Sequence, residues 1–206
     1  MLKRLIYYIM GSFFIGFGVV LIIKSDLGTS PWDTLHVAIS LVTPLTIGMA
    51  AQSVALLVTL LVTLSNKKLK YLLMVISILL VGWIIDLFDL IILADYEPTG
   101  MLALITFIIG VIIVPLGGAS LLESKFPAGV FDELMLVIMR VANTEKMALT
   151  RIILELVPVL TALTITWIAF NDIGSIHVGT LVFVLSVGPL LQYYLKIFRR
   201  LEHGNQ

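Results

Sequence analysis

Arg151 and Glu155 stand four residues apart in an otherwise apolar stretch, residues 147–170. On an α-helix that spacing puts both on one face, where they can pair. A charge left unpaired in hydrocarbon would cost a few kcal/mol or more, so such groups are either paired for structure or kept for function. The two chemistries on offer are a structural ion pair and a proton or ion relay. Glu155 would lie about 12 Å beyond the start of this stretch, near enough to mid-bilayer to matter. Pro158, one turn later, can bend the helix and free a carbonyl.

Two further carboxylates occupy matched local patterns. Ser30-Pro31-Trp32-Asp33 reads as a helix start, with serine as N-cap, proline at the first helical position and an acid at the third. Gly129-Val130-Phe131-Asp132 repeats the layout with glycine as cap. An acid at that position offsets orphan N–H groups and the helix dipole by roughly 0.5–2 kcal/mol with no ligand involved. The same starts, set at membrane depth, would line a cavity where N–H groups and carboxylates meet a solute. Gly28 and Pro127 punctuate the approach to each start.

Other polar residues extend the candidate set. Asp86 and Asp89 close the third apolar run, Asp89 reading as solvated near the interface and Asp86 as about one turn deeper. Gln192 lies in the sixth run, and Gln52 in the second. Trp32 reads first as an interfacial aromatic, and His36 as an interfacial side chain or a proton carrier. The binding residues expected from sequence are therefore Asp33, Asp132, Arg151, Glu155, Asp86, Gln192, Trp32, Ser30, Gly28 and Gly129. No catalytic residue is expected: HExxH, GxSxG, GxGD and phosphate-loop patterns are all missing from the sequence. Three scattered histidines and no cysteine also leave no basis for a cofactor or a transition-metal site, or for disulfides.

The elements that must position these residues are membrane spans. The chain is 60% hydrophobic and 13% charged, with a mean hydropathy of +1.12, outside the range of soluble domains. Apolar runs cover 5–23, 46–64, 71–93, 101–122, 147–170 and 178–198. Each can cross about 30 Å of hydrocarbon. The first follows Lys3 and Arg4 but is too long for a signal peptide and has no small-x-small cleavage site, so it is read as retained. Two shorter helices, 31–42 and 130–142, make only about 18–20 Å each. Charge decides whether they cross, because lysine and arginine favour the cytoplasmic side. If they do not cross, eleven cations lie inside: Lys3, Arg4, Lys67, Lys68, Lys70, Lys125, Arg140, Lys146, Lys196, Arg199 and Arg200. Lys24 alone then lies outside, whereas crossing short helices would leave seven against five. Six spans are expected, with both termini cytoplasmic.

Residues 25–35 (SDLGTSPWDTL) return, faded, 99 positions later as 124–134 (SKFPAGVFDEL). The offset matches Gly18 with Gly117, Ser25 with Ser124, Asp33 with Asp132, Leu35 with Leu134, Trp32 with Phe131, and Gln52 with Arg151. Three spans per half is an odd number, so the halves, 1–94 and 101–200, would enter the bilayer from opposite sides. The fold class expected is all-α: six transmembrane helices plus two short broken or re-entrant helices, as two inverted-topology repeats in one membrane domain.

Leu27-Gly28-x-Ser30-Pro31-Trp32-Asp33-x-Leu35, then Thr46-x-Gly48, resembles the opening motif of the bacterial YczE/YyaS/YitT family of integral membrane proteins. Gly82-x-x-Ile85-Asp86, Asp132-x-Leu134-Met135, Arg151-x-x-x-Glu155 and Gly179-Thr180 before Gly188-Pro189 are similar to later family signatures. Two departures stand out. Val130-Phe131-Asp132-Glu133 replaces the Pro-Arg-Asp-Gly associated with the second half, and Ala38 stands where glycine is common. The resemblance implies a bacterial cytoplasmic-membrane protein and supplies no mechanism.

The function expected is a multi-pass transporter or channel-like protein for a small solute or ion, with proton or cation coupling. The alternative is a non-transporting regulator or assembly factor acting through its spans; an enzyme is not expected. The partners expected are the lipid bilayer and that solute or ion, without nucleic acid, and no feature specifies an oligomeric state.

Overall fold

A computed structural model describes residues 2–126 and 129–203. Its regular elements are all helical. Six long helices are apolar and long enough to span a bilayer: α1 (Leu2–Lys24), α3 (Ile47–Asn66), α4 (Met74–Leu87, with its flanking turns), α5 (Gly100–Ser124), α7 (Met147–Phe170) and α8 (Val178–His203). Two short helices, α2 (Pro31–Val42) and α6 (Val130–Val141), follow the first span of each half. The third predicted span is composite, because a 3-10 turn over Leu69–Leu73 leads into α4 and a π-helical turn over Phe88–Ile92 ends it. Asp89 falls in that π turn.

Polar contacts sort the helix ends into two sets. At one end Lys24 pairs with Asp89 at 3.1 Å. Asp86 accepts hydrogen bonds there from the Thr46 hydroxyl at 2.7 Å and the Gly48 N–H at 2.8 Å. These contacts put the end of α1, the start of α3 and the end of α4 together. Gly179 N–H also donates to Leu27 O at 2.8 Å, which brings the start of α8 to the same end. At the opposite end Arg140 donates to Asn66 at 2.8 Å, Ser120 donates to the Tyr7 carbonyl at 2.8 Å, and Arg199 faces Glu123 at 3.9 Å.

The short helices therefore do not cross. The chain leaves α1 at the Lys24 end, turns inward through residues 25–30, and α2 carries it back to the same end, where Thr46 caps α3. α6 likewise starts in the interior and returns to the end at which α5 finishes, where Arg140 meets Asn66. Among the described residues six helices are long and apolar enough to cross a membrane, the number expected from the sequence.

α1 and α5 run antiparallel and form the most extensive helix pair. Glycines allow this approach: a Cβ on Gly11 would stand 2.8 Å from Gly117 O, and one on Gly110 would stand 2.9 Å from Gly18 O. Small residues are what membrane helices use to bring backbones together, since hydrocarbon gives little hydrophobic drive between spans. Around this pair, α4 packs on α1 and α8 on α5, while α2 lies against α7 and α3 against α6. The α3–α4 pair is close because Gly82 leaves room for Gln52, whose amide donates to Leu79 O at 3.0 Å. Among the described residues α7 and α8 make no comparable contact, and α8 is the least buried span.

Candidate functional site

The two broken-helix starts meet inside the bundle. Ser30 caps α2 by accepting from Asp33 N–H at 3.2 Å, and Pro31 presets the first turn. Gly129, with no side chain to cap, occupies the same place before α6. The second residue of each helix is aromatic, and the two rings stack: the Trp32 and Phe131 centroids lie 3.9 Å apart, with the planes 21° from parallel. Trp32 thus belongs to the interior rather than standing as an interfacial aromatic. This ring pair forms part of the wall of a cavity of about 320 Å³. Ser30, Asp33, His36, Ser77, Gly129, Asp132, Arg151 and Glu155 are among its polar lining residues. Ile15, Val19, Ile78, Val81, Ile85, Val114, Phe183 and Val187 are among its apolar lining residues.

The charged groups fall into two sets. Asp132 accepts from Arg151 Nη1 at 3.1 Å, and Arg151 Nη2 lies 3.6 Å from Glu155. Both members of the Asp132–Arg151 pair are more than half exposed, so their attraction is well screened on that side. The Asp33 set is more buried. Ser30 Oγ donates to Asp33 Oδ2, and His36 Nδ1 lies 3.2 Å from Asp33 Oδ1. The side chains of Asp33 and His36 are only 14% and 6% exposed. No lysine or arginine forms an ion pair with Asp33 among the described residues. Glu155 lines the same cavity as Asp132 and Asp33, so the three acids share one chamber.

Seven of the ten residues selected from sequence line the cavity: Asp33, Asp132, Arg151, Glu155, Trp32, Ser30 and Gly129. The other three do not. Asp86 spends both oxygens on the start of α3 and acts as a cap supplied from another helix. Gly28 serves close packing: its φ is +118°, and a Cβ there would stand 2.6 Å from Thr180 N. Thr29 N–H then donates to Thr180 Oγ1 at 3.2 Å, fastening the bend to α8. Gln192 lies on α8 beyond Val187, outside the lining. Asp89, expected to be solvated, is 13% exposed and paired with Lys24. Pro127 lies outside the described residues.

His36 was left open by sequence between an interfacial and a proton-carrying role, and it belongs to the site. Its place three residues after Asp33, on the same helical face, was the available signal. Ser77 was missed altogether. It lines the cavity from α4, and its hydroxyl is turned to the Met74 carbonyl at 2.9 Å. Such local back-bonding leaves no trace in a sequence pattern.

Residues 2–196 match a family of unknown function, DUF6198. The chain belongs to this family. It is similar to the uncharacterized protein YyaS of Bacillus subtilis, at 30% identity over 198 residues covering 96% of this chain and 94% of that protein. The uncharacterized membrane protein YczE of the same organism is 28% identical over 193 residues, covering 93% and 85% of the two chains. An uncharacterized protein of Haemophilus influenzae is 28% identical over 193 residues, covering 92% and 82%. No solved structure matches the chain. The resemblance seen in the Leu27–Leu35 and Arg151–Glu155 motifs is thus a family membership that spans nearly the whole chain. The DUF6198 match covers both broken-helix starts and every charged residue of the cavity.

Proposed function

We propose that this protein is a membrane transporter or channel-like protein that moves a small solute or ion through the cavity between α2 and α6, with proton or cation coupling. The observation that carries the reading is the meeting of two interrupted helices, one from each end of the bundle, at a chamber holding four charged residues and a histidine. Irregular backbone at membrane depth is tolerated where it is buried or lines a cavity, and discontinuous helices are how transporters build midplane sites.

The reading includes two inverted repeats, residues 1–94 and 101–200. Helix contacts support it, since α2 on α7 is mirrored by α6 on α3, and α1 on α4 by α5 on α8. Gly11 and Gly18 recur as Gly110 and Gly117 at the same offset of 99, so the α1–α5 crossing has matching contacts at both ends. The α7–α8 pair departs from the scheme, and a rocking half needs such a loose edge. We place the protein in the cytoplasmic membrane, with both termini on the cation-rich cytoplasmic side.

The test is solute flux in reconstituted vesicles, using amines, amino acids, organic acids, sugars and simple salts as the panel. The wild-type protein carries at least one member, and the Asp33→Asn, Asp132→Asn double variant carries none while eluting as a folded protein. Undiminished flux in the double variant removes these acids from the mechanism. No flux for any member in the wild type overturns the transport reading.

A further inference from the structure

The two acids at the broken-helix starts are not equivalent. Asp132 faces a fixed cation, Arg151, which also faces Glu155. At the offset that relates Asp33 to Asp132, the position of Arg151 is held by Gln52, and that of Glu155 by Leu56. Gln52 turns instead to the Leu79 carbonyl. Asp33 is left with a serine hydroxyl and a histidine. A charged carboxylate this buried is stabilised by a positive partner, and among the described residues its ion-pair partner is His36, which is cationic only when protonated.

His36 sharpens the point. With its Nδ1 proton on Asp33, its Nε2 is a bare acceptor, and that atom is buried with no hydrogen-bond partner among the described residues. Buried acceptors without donors are rare and costly. Each Asp33 oxygen already has a neutral donor, so what this side of the cavity lacks is a full positive charge.

We propose that the Asp33 side of the cavity binds a small organic monocation, a protonated amine with an apolar body. Its ammonium pairs with Asp33, which His36 holds in place, and the body packs on the Trp32–Phe131 pair. The assignment rests on the transport reading above and adds the class of substrate to it. Three carboxylates and one guanidinium line the chamber, a set that favours positive charge. Helix N-termini ordinarily suit anions, but here each first turn already carries its own acid. Bare metal ions need several oxygen ligands, and no group of three His, Cys, Asp or Glu residues is placed to hold one among the described residues. The largely apolar wall and the aromatic pair instead suit a ligand with a hydrocarbon part, and an ammonium gains further from aromatic faces. At about 30 Å³ per water molecule, the cavity of about 320 Å³ has room for such a body.

The experiment uses the full chain in maltoside detergent, with Trp83 and Trp167 replaced by phenylalanine so that Trp32 is the sole reporter. Methyl-, butyl- and benzylammonium chlorides are titrated against its fluorescence, with sodium butyrate, butanol, NaCl and KCl alongside. The amines with larger apolar bodies give a saturable change, while the anion, the alcohol and the salts do not. Asp33→Asn weakens butylammonium binding at least about tenfold, in the range of a lost charged hydrogen bond. His36→Gln weakens it less, and Glu123→Gln, on the Arg199 pair at the bundle end, leaves it unchanged. Arg151→Gln tightens it several-fold by removing the opposing charge. No saturable response to any amine, equal responses to KCl, or tighter binding of butyrate overturns the proposal. Amine binding without flux would sink the transport reading and leave the site standing. Flux of some other solute without amine binding would do the reverse.

Discussion

Replacing Gly117 with alanine tests whether the α1–α5 contact sets the frame of the molecule. A Cβ on Gly117 would stand 2.7 Å from Ile15 N and 2.8 Å from Gly11 O. Ordinary contact begins near 3.4 Å, so the two helices must part by roughly 0.6 Å. The obstructing atoms are backbone and cannot swing aside as a flexible side chain can. Overpacking of this kind costs about 1–3 kcal/mol, and alanine returns up to about 1 kcal/mol of helix propensity. A net loss of about 1–2 kcal/mol should lower Tm by roughly 2–8 °C in a chain of this size. The assay is a thermal scan of detergent-purified protein by tryptophan fluorescence. Gly188→Ala is the control, because a Cβ there meets nothing within 4 Å. It should leave Tm unchanged or raise it. A Gly117→Ala protein as stable as wild type, or a Gly188→Ala protein equally damaged, would refute the reasoning.

Asp86→Ala should destabilise the protein by about 1–3 kcal/mol in the same scan, because the Thr46 hydroxyl and the Gly48 N–H both lose their acceptor. Gly28→Ala should lower Tm and the yield of monodisperse protein, since φ +118° strains any L side chain and the added carbon strikes Thr180; such backbone strain costs of the order of 1–3 kcal/mol. In this cysteine-free chain, Asp26→Cys and Lys67→Cys, both at exposed positions, should react with impermeant maleimide from opposite sides of the membrane; labelling of both from one side would contradict the six-span topology.

The elements that read clearly from sequence are those whose signals are local. Serine, proline and aspartate at 30, 31 and 33 place the start of α2 where it is found, and α7 runs over the residues its apolar run predicts. Cations at span ends favour short helices that do not cross, a preference set by the lipid rather than by packing, and α2 and α6 each return to the end of the bundle from which the chain entered. Contacts made across the bundle were not legible. Nothing near Asp86 announces that it caps α3, and nothing near Asp89 announces Lys24 forty sites or more away in the chain. The stacking of Trp32 on Phe131 lies between these cases: their matched positions suggested a relation, but only the re-entrant geometry brings them face to face. The second-half helix start carries a weaker local signal, since Gly129 offers no capping side chain and α6 depends on its contacts with α3 and α7.

Cross-linking across the paired rings tests the central claim most directly. Trp32→Cys and Phe131→Cys are introduced together, and the pair is bridged by a short bis-thiosulfonate in proteoliposomes, with bridging confirmed by mass. Flux of the solute carried by the unbridged protein should stop on bridging and return on reduction. A fully bridged protein that carries the solute undiminished would show that passage does not run between the two broken helices.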